Sequence, residues 1–314
     1  MYDKVKFWVD RFDIVGQYPN IISLLDTAKE QTDLNTGEVK VYGYLDGLRV
    51  NINQSGLSIE GSLPKFLYQS NIYTLNRDTT RQAIKKIEDE LHINLGGAKV
   101  LSLEFGTNFN MKHPVCMYLD KLGDMPRLER SNYTASSLYY KSQSKAQPKV
   151  FCFYDKIAEA KANKMIVTTG LEDANLLRYE MRFKSRLPSQ FKANEVKAST
   201  LTNERFFASA IKMYQNYYNS ISKKNILTFD NMSKIKTVKD AQEVLMALLI
   251  NQSDQEQIKA YINSLKEAKV FEDRKNYTRL KNKIKEISNK AGFVVSDDLI
   301  KELDDEIKNI GAYI

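Results

Sequence analysis

Apolar and polar residues alternate with a period of two in several short stretches of the first two thirds of the chain. Val5, Phe7 and Val9 alternate with polar residues at the start. Period-two alternation is typical of half-buried strands, and Asp-Gly between two such runs is a hairpin signal. The sequence therefore predicts an antiparallel meander from three further runs separated by glycine-containing turns, at residues 39–45, 48–53 and 57–60.

Two later stretches carry charged side chains on a regular strand pattern. In residues 100–108, apolar side chains fall on one face and Glu104 falls mid-strand on the other. Because alternate residues of a strand point to opposite faces, such patterns predict a sheet with one apolar and one charged face. A carboxylate among three cations can contact an anion, hold a metal or belong to a salt-bridged surface. The second stretch, residues 176–184, has this set: Arg178, Glu180, Arg182 and Lys184.

A third stretch, residues 149–156, predicts a short strand that ends in Tyr154, with Lys156 two residues further on. If its strand extends to Lys156, Tyr154 and Lys156 share one face, because residues two apart on a strand do. A phenol beside an ammonium is a candidate nucleophile with a cationic partner. Antiparallel neighbours would bring Glu104, Tyr154 and Glu180 to one side of a sheet. This constellation predicts phosphoryl transfer in which Tyr154 attacks phosphorus and Lys156 stabilises the developing charge.

Helical spacing occurs beside these strands and dominates the last third of the chain. Residues 20–29 predict a short amphipathic helix, and another helix is predicted to open near Thr79 with Gln82 in a capping box. After Pro188 the pattern is helical to the end. The sequence therefore predicts an α+β fold, an antiparallel sheet with flanking helices, followed by an all-α C-terminal region. The predicted domains are residues 1–190 and 200–314.

Composition narrows the choice of partner and compartment. The chain has 314 residues and a formal net charge of +8, which favours a polyanionic partner, nucleic acid before a membrane surface. Its two cysteines, Cys116 and Cys152, have no metal-type or redox-type spacing, as expected in a reducing cytoplasm. The longest apolar run, residues 244–250, is too short to cross a bilayer, and the N-terminus has no secretory pattern. We expect a soluble intracellular protein without a membrane partner.

The residues that could act as metal ligands in this chain do not favour a zinc site. His92 and His113 are its two histidines, too few for a zinc cluster and too far apart in sequence for a His-hydrophobic-His pair. Carboxylates would have to supply most ligands, and they suit Mg²⁺ or Mn²⁺. Glu180 and Glu104 are the predicted ligands, and the cation would polarise the scissile phosphate.

Ordinary structural roles compete with these assignments. The chain has eighteen tyrosines, so Tyr154 can simply be a packing residue. Tyr139 and Tyr140 are the main competing tyrosine pair, because some nucleases use adjacent tyrosines. Glu104 can be an ordinary strand carboxylate with no ligand. The strand patterns alone leave these alternatives open.

Four segments of the chain form a set with a characteristic order and spacing: residues 61–66, 99–109, 150–156 and 177–184. Together they resemble the gene II/X family of phage and plasmid replication proteins, and more distantly the Rep proteins of small rolling-circle plasmids. In order and spacing they cover residues 1–200. The resemblance implies a Rep/HUH-like nuclease core and a metal-dependent initiator of rolling-circle replication. Such an enzyme nicks the origin, joins its tyrosine to the 5′-phosphate and leaves a 3′-hydroxyl primer.

The resemblance also implies roles for individual residues. Tyr154 matches the family's nucleophile, Lys156 the lysine that follows it, and Glu180 the acidic residue of an Arg-aromatic-Glu strand. Glu104 falls where relatives often have Asp in an Arg-x-Asp sequence, but the arginine is absent from this chain. The implied DNA contacts are the cations around these residues: Arg178, Arg182, Lys184 and Lys141.

The implied partners are origin DNA, single-stranded at the nick, and the replicative helicase and polymerase of a bacterial host, in whose cytoplasm the protein would act. Mg²⁺ or Mn²⁺ would be the cofactor. Residues 1–190 would form the nuclease domain and residues 200–314 a helical accessory or DNA-binding domain. Two other functions stay open: a conjugative relaxase with the same chemistry at a transfer origin, and a non-catalytic DNA-binding regulator whose Tyr154 merely packs.

Overall fold

The chain forms two compact units. The structure is a computed structural model that describes residues 1–14, 16–164, 170–224, 226–227, 234–253, 255–288, 294–295 and 297–310. Within these residues, no helix combines the length and the apolar character needed to cross a membrane. Unit 1 comprises Met1–Leu119, Met125–Ser220 and Glu306–Ile314, and unit 2 comprises Asp120–Asp124 and Ile221–Asp305.

Strands dominate the first part of the chain and helices the last. The described strands are β1 (Tyr2–Asp10), β2 (Asp26–Thr32), β3 (Val39–Leu45), β4 (Leu48–Asn53), β5 (Gly56–Ser62), β6 (Lys99–Met111), β7 (Leu128–Thr134), β8 (Ser137–Ser142), β9 (Lys149–Asp155), β10 (Asn175–Phe183), β11 (Ile226–Leu227) and β12 (Val294–Val295). The described helices are α1 (Tyr18–Ser23), α2 (Leu63–Tyr68), α3 (Arg77–Leu91), α4 (Val115–Lys121), α5 (Lys156–Ala162), α6 (Leu187–Phe191), α7 (Ala198–Leu201), α8 (Glu204–Asn219), α9 (Val238–Gln252), α10 (Gln255–Glu267), α11 (Lys275–Ser288) and α12 (Asp298–Asn309).

A ten-stranded sheet forms the framework of unit 1. Its strand order is β2-β3-β4-β5-β1-β6-β10-β9-β8-β7, and every neighbouring pair is antiparallel. The predicted fold class, an antiparallel sheet with flanking helices followed by a helical C-terminal region, is therefore confirmed. The predicted meander is β3-β4-β5, joined by Asp46-Gly47 and a turn before Gly56.

Aromatic side chains fill the apolar face of this sheet. Tyr179 of β10 stacks on Phe153 of β9, with ring centroids 4.2 Å apart and an interplanar angle of 2°. Phe105 of β6 contacts the rings of Tyr2 and Phe183 in the strands on either side. These residues are the apolar members of the alternating patterns, so the sequence determines which face of each strand is buried.

Helix α8 covers this aromatic face. Asn203 caps its N-terminus by accepting a hydrogen bond from the amide of Phe206. Its buried stripe repeats every three or four residues and includes Phe207 and Tyr214. The Phe207 ring packs edge-on against Tyr2, and the Tyr214 hydroxyl donates to the carbonyl of Tyr179 at 2.9 Å.

Two local predictions were wrong. The helix predicted over residues 20–29 ends at Ser23, and the polar residues that follow form edge strand β2 instead. They lack the apolar stripe that a helix would bury, whereas pairing with β3 satisfies their backbone. The capping box of α3 is formed by Asn76 and Thr79 rather than by Thr79 and Gln82. The condition that the strand extends to Lys156 is not met, because β9 ends at Asp155.

Unit 2 is mainly helical. Helices α9 and α11 pack against each other, and the Asn251 side chain donates to the carbonyl of Ser288 at 2.9 Å. The Tyr277 hydroxyl donates to the carbonyl of Leu265 and so ties α11 to α10. The two short strands, β11 and β12, form a separate antiparallel pair.

Candidate active site

The polar face of the sheet lies on the side opposite α8 and combines the three strands that the sequence singled out. Strands β6, β10 and β9 are direct neighbours, so Glu104, Glu180 and Tyr154 share one face. Strand β8 pairs with β9 and adds a fourth strand to this face. Paired residues form three rows across β8, β9, β10 and β6: Ser137-Tyr154-Arg178-Asn108, Tyr139-Cys152-Glu180-Gly106, and Lys141-Val150-Arg182-Glu104.

Glu180 lies at the centre of these rows and is only 3 % exposed. One carboxylate oxygen accepts hydrogen bonds from the Tyr154 hydroxyl at 2.7 Å and from Arg178 Nε at 2.5 Å. The other accepts from Arg182 Nη2 at 2.6 Å. Burial opposes ionisation of Glu180, but the two guanidinium groups outweigh it and lower its pKa to about 2. Glu180 is therefore a fixed, ionised anchor for two arginines and a phenol.

Arg178 is buried and joins distant parts of unit 1. Its guanidinium forms an ion pair with Asp3 of β1, and it donates to the Asn108 side chain at 3.0 Å and to the carbonyl of Asn71 at 3.1 Å. A buried charge is tolerated only when it is paired and hydrogen-bonded, which is the case here. The sequence analysis did not find Asp3, because no local pattern links it to a residue 175 positions away.

Gly106 provides the space for this guanidinium. A methyl group at Gly106 would lie 2.4 Å from Nη2 and 2.8 Å from Cζ of Arg178. These separations are far below van der Waals contact. The absence of a side chain at this position therefore lets Arg178 lie against β6 and reach Asp3.

Tyr154 and Lys156 occupy different environments. Tyr154 is 8 % exposed, and burial raises the pKa of its hydroxyl well above the ordinary value. Lys156 begins α5, and its ammonium donates to Glu159 at 2.8 Å. Burial lowers the pKa of Lys156. Among the described residues, Glu159 is its hydrogen-bond partner, so the predicted pairing of Lys156 with the Tyr154 phenol is not seen.

The solvent-accessible part of the face is formed by other members of the rows. Tyr139 is half-buried, with the Lys141 ammonium 6.0 Å from its ring centroid. Arg182 and Glu104 are 30 % and 26 % exposed and lie 3.9 Å apart. Burial raises the pKa of Glu104 to about 7, with Arg182 opposing and Glu180 adding to the shift. A carboxyl with this pKa can exchange a proton near neutral pH.

The predicted DNA-contacting cations divide by accessibility. Arg182 and Lys141 are partly exposed on the polar face, and Lys184 is exposed just after β10. Arg178 is buried in its ion pairs, so direct contact with DNA is not available to it in this arrangement.

Glu180 and Glu104 do not fit the predicted metal pair. Both oxygens of Glu180 already accept hydrogen bonds, and two guanidinium groups surround the carboxylate. Because both guanidinium groups are within hydrogen-bond distance of the Glu180 carboxylate, their positive charges would repel a divalent cation bound there. Within the described ranges, no group of three or more His, Cys, Asp or Glu side chains is arranged to hold a metal ion. Dependence on Mg²⁺ or Mn²⁺ stays a prediction.

Comparison with known families identifies the chain. The model of a phage family, described as the N-terminal part of a replication-associated protein, matches residues 1–220. The chain belongs to this family. The match covers all ten strands of the large sheet and helix α8. The resemblance to gene II/X replication proteins is therefore confirmed, and the chain is a replication protein of the phage initiator type. No curated protein sequence matches it.

Proposed function

We propose that this replication-associated protein is a site-specific single-strand DNA endonuclease and ligase that initiates rolling-circle replication. The observation that carries the proposal is the polar face of the sheet. On this face, Tyr139 and Tyr154 lie in the same and the adjacent row as Glu180, and the Glu180 carboxylate accepts hydrogen bonds from Arg178 and Arg182. Family membership supports a role in replication initiation. Origin DNA is the substrate of the proposal. Contact with a host helicase and polymerase, and a cytoplasmic location, stay predictions.

The proposed reaction exchanges one phosphoester bond for another. The phenol oxygen bonds to phosphorus while the bond from phosphorus to the 3′-oxygen breaks. The phenol proton passes to a base, and the 3′-oxygen takes up a proton to become the 3′-hydroxyl. Glu104, with its pKa of about 7, suits one of these proton transfers. Arg182 and Lys141 offer positive charge to the phosphate oxygens. Because one bond forms as another breaks, the reverse step rejoins the strand.

The geometry favours Tyr139 over Tyr154 as the attacking residue. Tyr139 is partly accessible and lies beside Lys141, whereas the Tyr154 hydroxyl is buried and donates to Glu180. A phosphate can reach Tyr139 without displacing Tyr154, Arg178 or Arg182 from the Glu180 carboxylate. Tyr154, the nucleophile that the resemblance implies, would then hold Glu180 in position. Substitution of each tyrosine decides between the two.

The test is to incubate the full chain with 3′-labelled single-stranded oligonucleotides tiled across the replicon that encodes it. Separate reactions contain Mn²⁺, Mg²⁺ or EDTA, which measures the predicted cation dependence. We expect an SDS-stable protein–DNA adduct with one oligonucleotide. The adduct should be abolished in Tyr139→Phe and reduced but retained in Tyr154→Phe, because only the attacking phenol is indispensable.

Tyr140→Phe is the matched control, because Tyr140 is adjacent but buried on the apolar face against Phe153. It should form the adduct at the wild-type level. Loss of the adduct in Tyr154→Phe alone would instead support the sequence-based assignment. An adduct that survives the double substitution of Tyr139 and Tyr154 would contradict tyrosine chemistry at this site. DNA binding without any adduct would favour the non-catalytic regulator.

A further inference from the structure

A second polar surface of unit 1 is a groove on the same side of the sheet as α8. It has a volume of about 830 Å³. Its walls come from the open end of the β7–β8 hairpin, the end of α6 and the exposed side of α8. Lys149 of β9 lies in the groove, and its strand partner Phe183 belongs to the aromatic face. The groove is therefore on the opposite face of the sheet from Glu180.

Four cations line this groove: Arg127, Lys149, Lys192 and Lys212. In the part of the chain that the structure describes, none of the four forms an ion pair with a carboxylate, and no Asp or Glu lines the groove. Other surface cations of unit 1, such as Lys85 and Lys99, are paired with acidic residues. The groove thus gathers positive charge that the protein itself does not neutralise.

The chemistry of the lining indicates the ligand. Like charges held in one groove repel each other, and a polyanion relieves this repulsion by binding them together. Most of the remaining lining is Ser, Gln and Asn, which donate hydrogen bonds to phosphate oxygens without adding charge. Lys149 donates a hydrogen bond to the Tyr217 hydroxyl at 2.9 Å, and its ammonium lies 4.8 Å from the centre of the Tyr217 ring, so this cation is held in place in the groove. Cations without carboxylate partners and neutral hydrogen-bond donors together match the phosphate backbone of a nucleic acid strand.

We propose that this groove binds the phosphodiester backbone of single-stranded DNA. DNA is the chosen nucleic acid because the chain belongs to a family of replication proteins. The site is separate from the tyrosine face and does not depend on the nicking chemistry. It would hold a segment of the strand while the opposite face is free to act on another segment.

The test measures binding of a fluorescein-labelled dT16 oligonucleotide to the full chain by fluorescence anisotropy. EDTA is present, and salt is varied from 50 to 300 mM. The groove variant combines Arg127→Gln, Lys192→Gln and Lys212→Gln, all at exposed positions. The control combines Lys29→Gln, Arg81→Gln and Lys85→Gln, which remove the same charge from exposed positions on β2 and α3, outside the groove lining.

We expect the groove variant to bind dT16 at least about tenfold more weakly than the control at physiological salt. Each lost phosphate contact lowers the salt slope for single strands by about 0.7, so three lost contacts lower it by about 2. As a second measurement, bound dT16 should protect Lys192 and Lys212 of the wild-type chain from acetylation, mapped by mass spectrometry.

Equal affinities and slopes for the two variants, or no protection of these lysines, would overturn the proposal. Tighter binding of a polyglutamate peptide than of dT16 would overturn the choice of DNA. The double substitution of Tyr139 and Tyr154 by Phe separates this site from the proposed function. That variant should lose the adduct and keep its affinity for dT16.

Discussion

At the scale of single residues, Glu104 gives the stability of the chain an unusual pH dependence. Burial raises its pKa from an ordinary 4.5 to about 7. Between these values the folded chain binds more protons than the unfolded chain. The free energy of unfolding should therefore fall as pH rises through this window. The decrease is up to about 3 kcal/mol, because one pKa unit corresponds to about 1.4 kcal/mol.

The variant Glu104→Gln isolates this effect, because the amide has the shape of the carboxyl but does not ionise. We expect its free energy of unfolding in urea, relative to wild type, to rise by up to about 3 kcal/mol between pH 5 and pH 8. A difference that stays constant across this range would show that Glu104 does not hold a raised pKa.

The sequence predicted some residues of the site and missed others for physical reasons. Alternation alone brings Glu104 and Glu180 to one face, because the period of a strand is fixed. The strand pattern does not reveal how accessible each residue is, and Arg178 and Glu180 are buried. Their burial depends on Asp3, which comes from the opposite end of the sheet-forming sequence. Contacts between distant segments leave no local pattern.

At the scale of elements, the fit between β6 and β10 depends on Gly106. In Gly106→Ala, the added methyl group would collide with the Arg178 guanidinium, and moving this group would break its ion pairs with Asp3 and Glu180. We expect a loss of about 1–3 kcal/mol in the free energy of unfolding, typical of overpacking a buried site. Urea denaturation measures the change.

Gly97→Ala is the matched control for this substitution. Gly97 precedes β6 by two positions, and a methyl group there meets no atom within 4 Å. Its free energy of unfolding should change by less than about 0.5 kcal/mol. Equal effects of the two substitutions would mean that the contact with Arg178 does not determine the fit of β6 to β10.

Elements with a strong apolar period were predicted well, and polar elements were not. Strands β6 and β10 and helix α8 have regular buried stripes, so pattern and structure agree. The edge strands β2 and β7 were missed. All seven residues of β2 are exposed, so the strand exists only because β3 offers backbone partners. Burial patterns cannot reveal a strand that buries nothing.

At the scale of the whole molecule, the limits of the folding unit differ from the limits of the sheet. The last strand of the sheet, β10, ends at Phe183. Unit 1 continues to Ser220, where the family match also ends, and it additionally includes Glu306–Ile314. The additional residues supply α8, whose Phe207 and Tyr214 cover Tyr2 and Tyr179. The domain predicted as residues 1–190 stays a prediction, because only a truncated chain can test it.

Truncated chains should therefore show whether the folding unit ends near residue 190 or needs the residues up to Ser220. A fragment of residues 1–190 would leave the aromatic face of the sheet uncovered, and an apolar surface of that kind favours aggregation over folding. We expect this fragment to be insoluble or to lack a cooperative transition in urea. A fragment of residues 1–220 keeps α8, so we expect it to unfold cooperatively. If the shorter fragment unfolds with the same midpoint as the longer one, then α8 is not part of the minimal fold, and the boundary near residue 190 is the physical one.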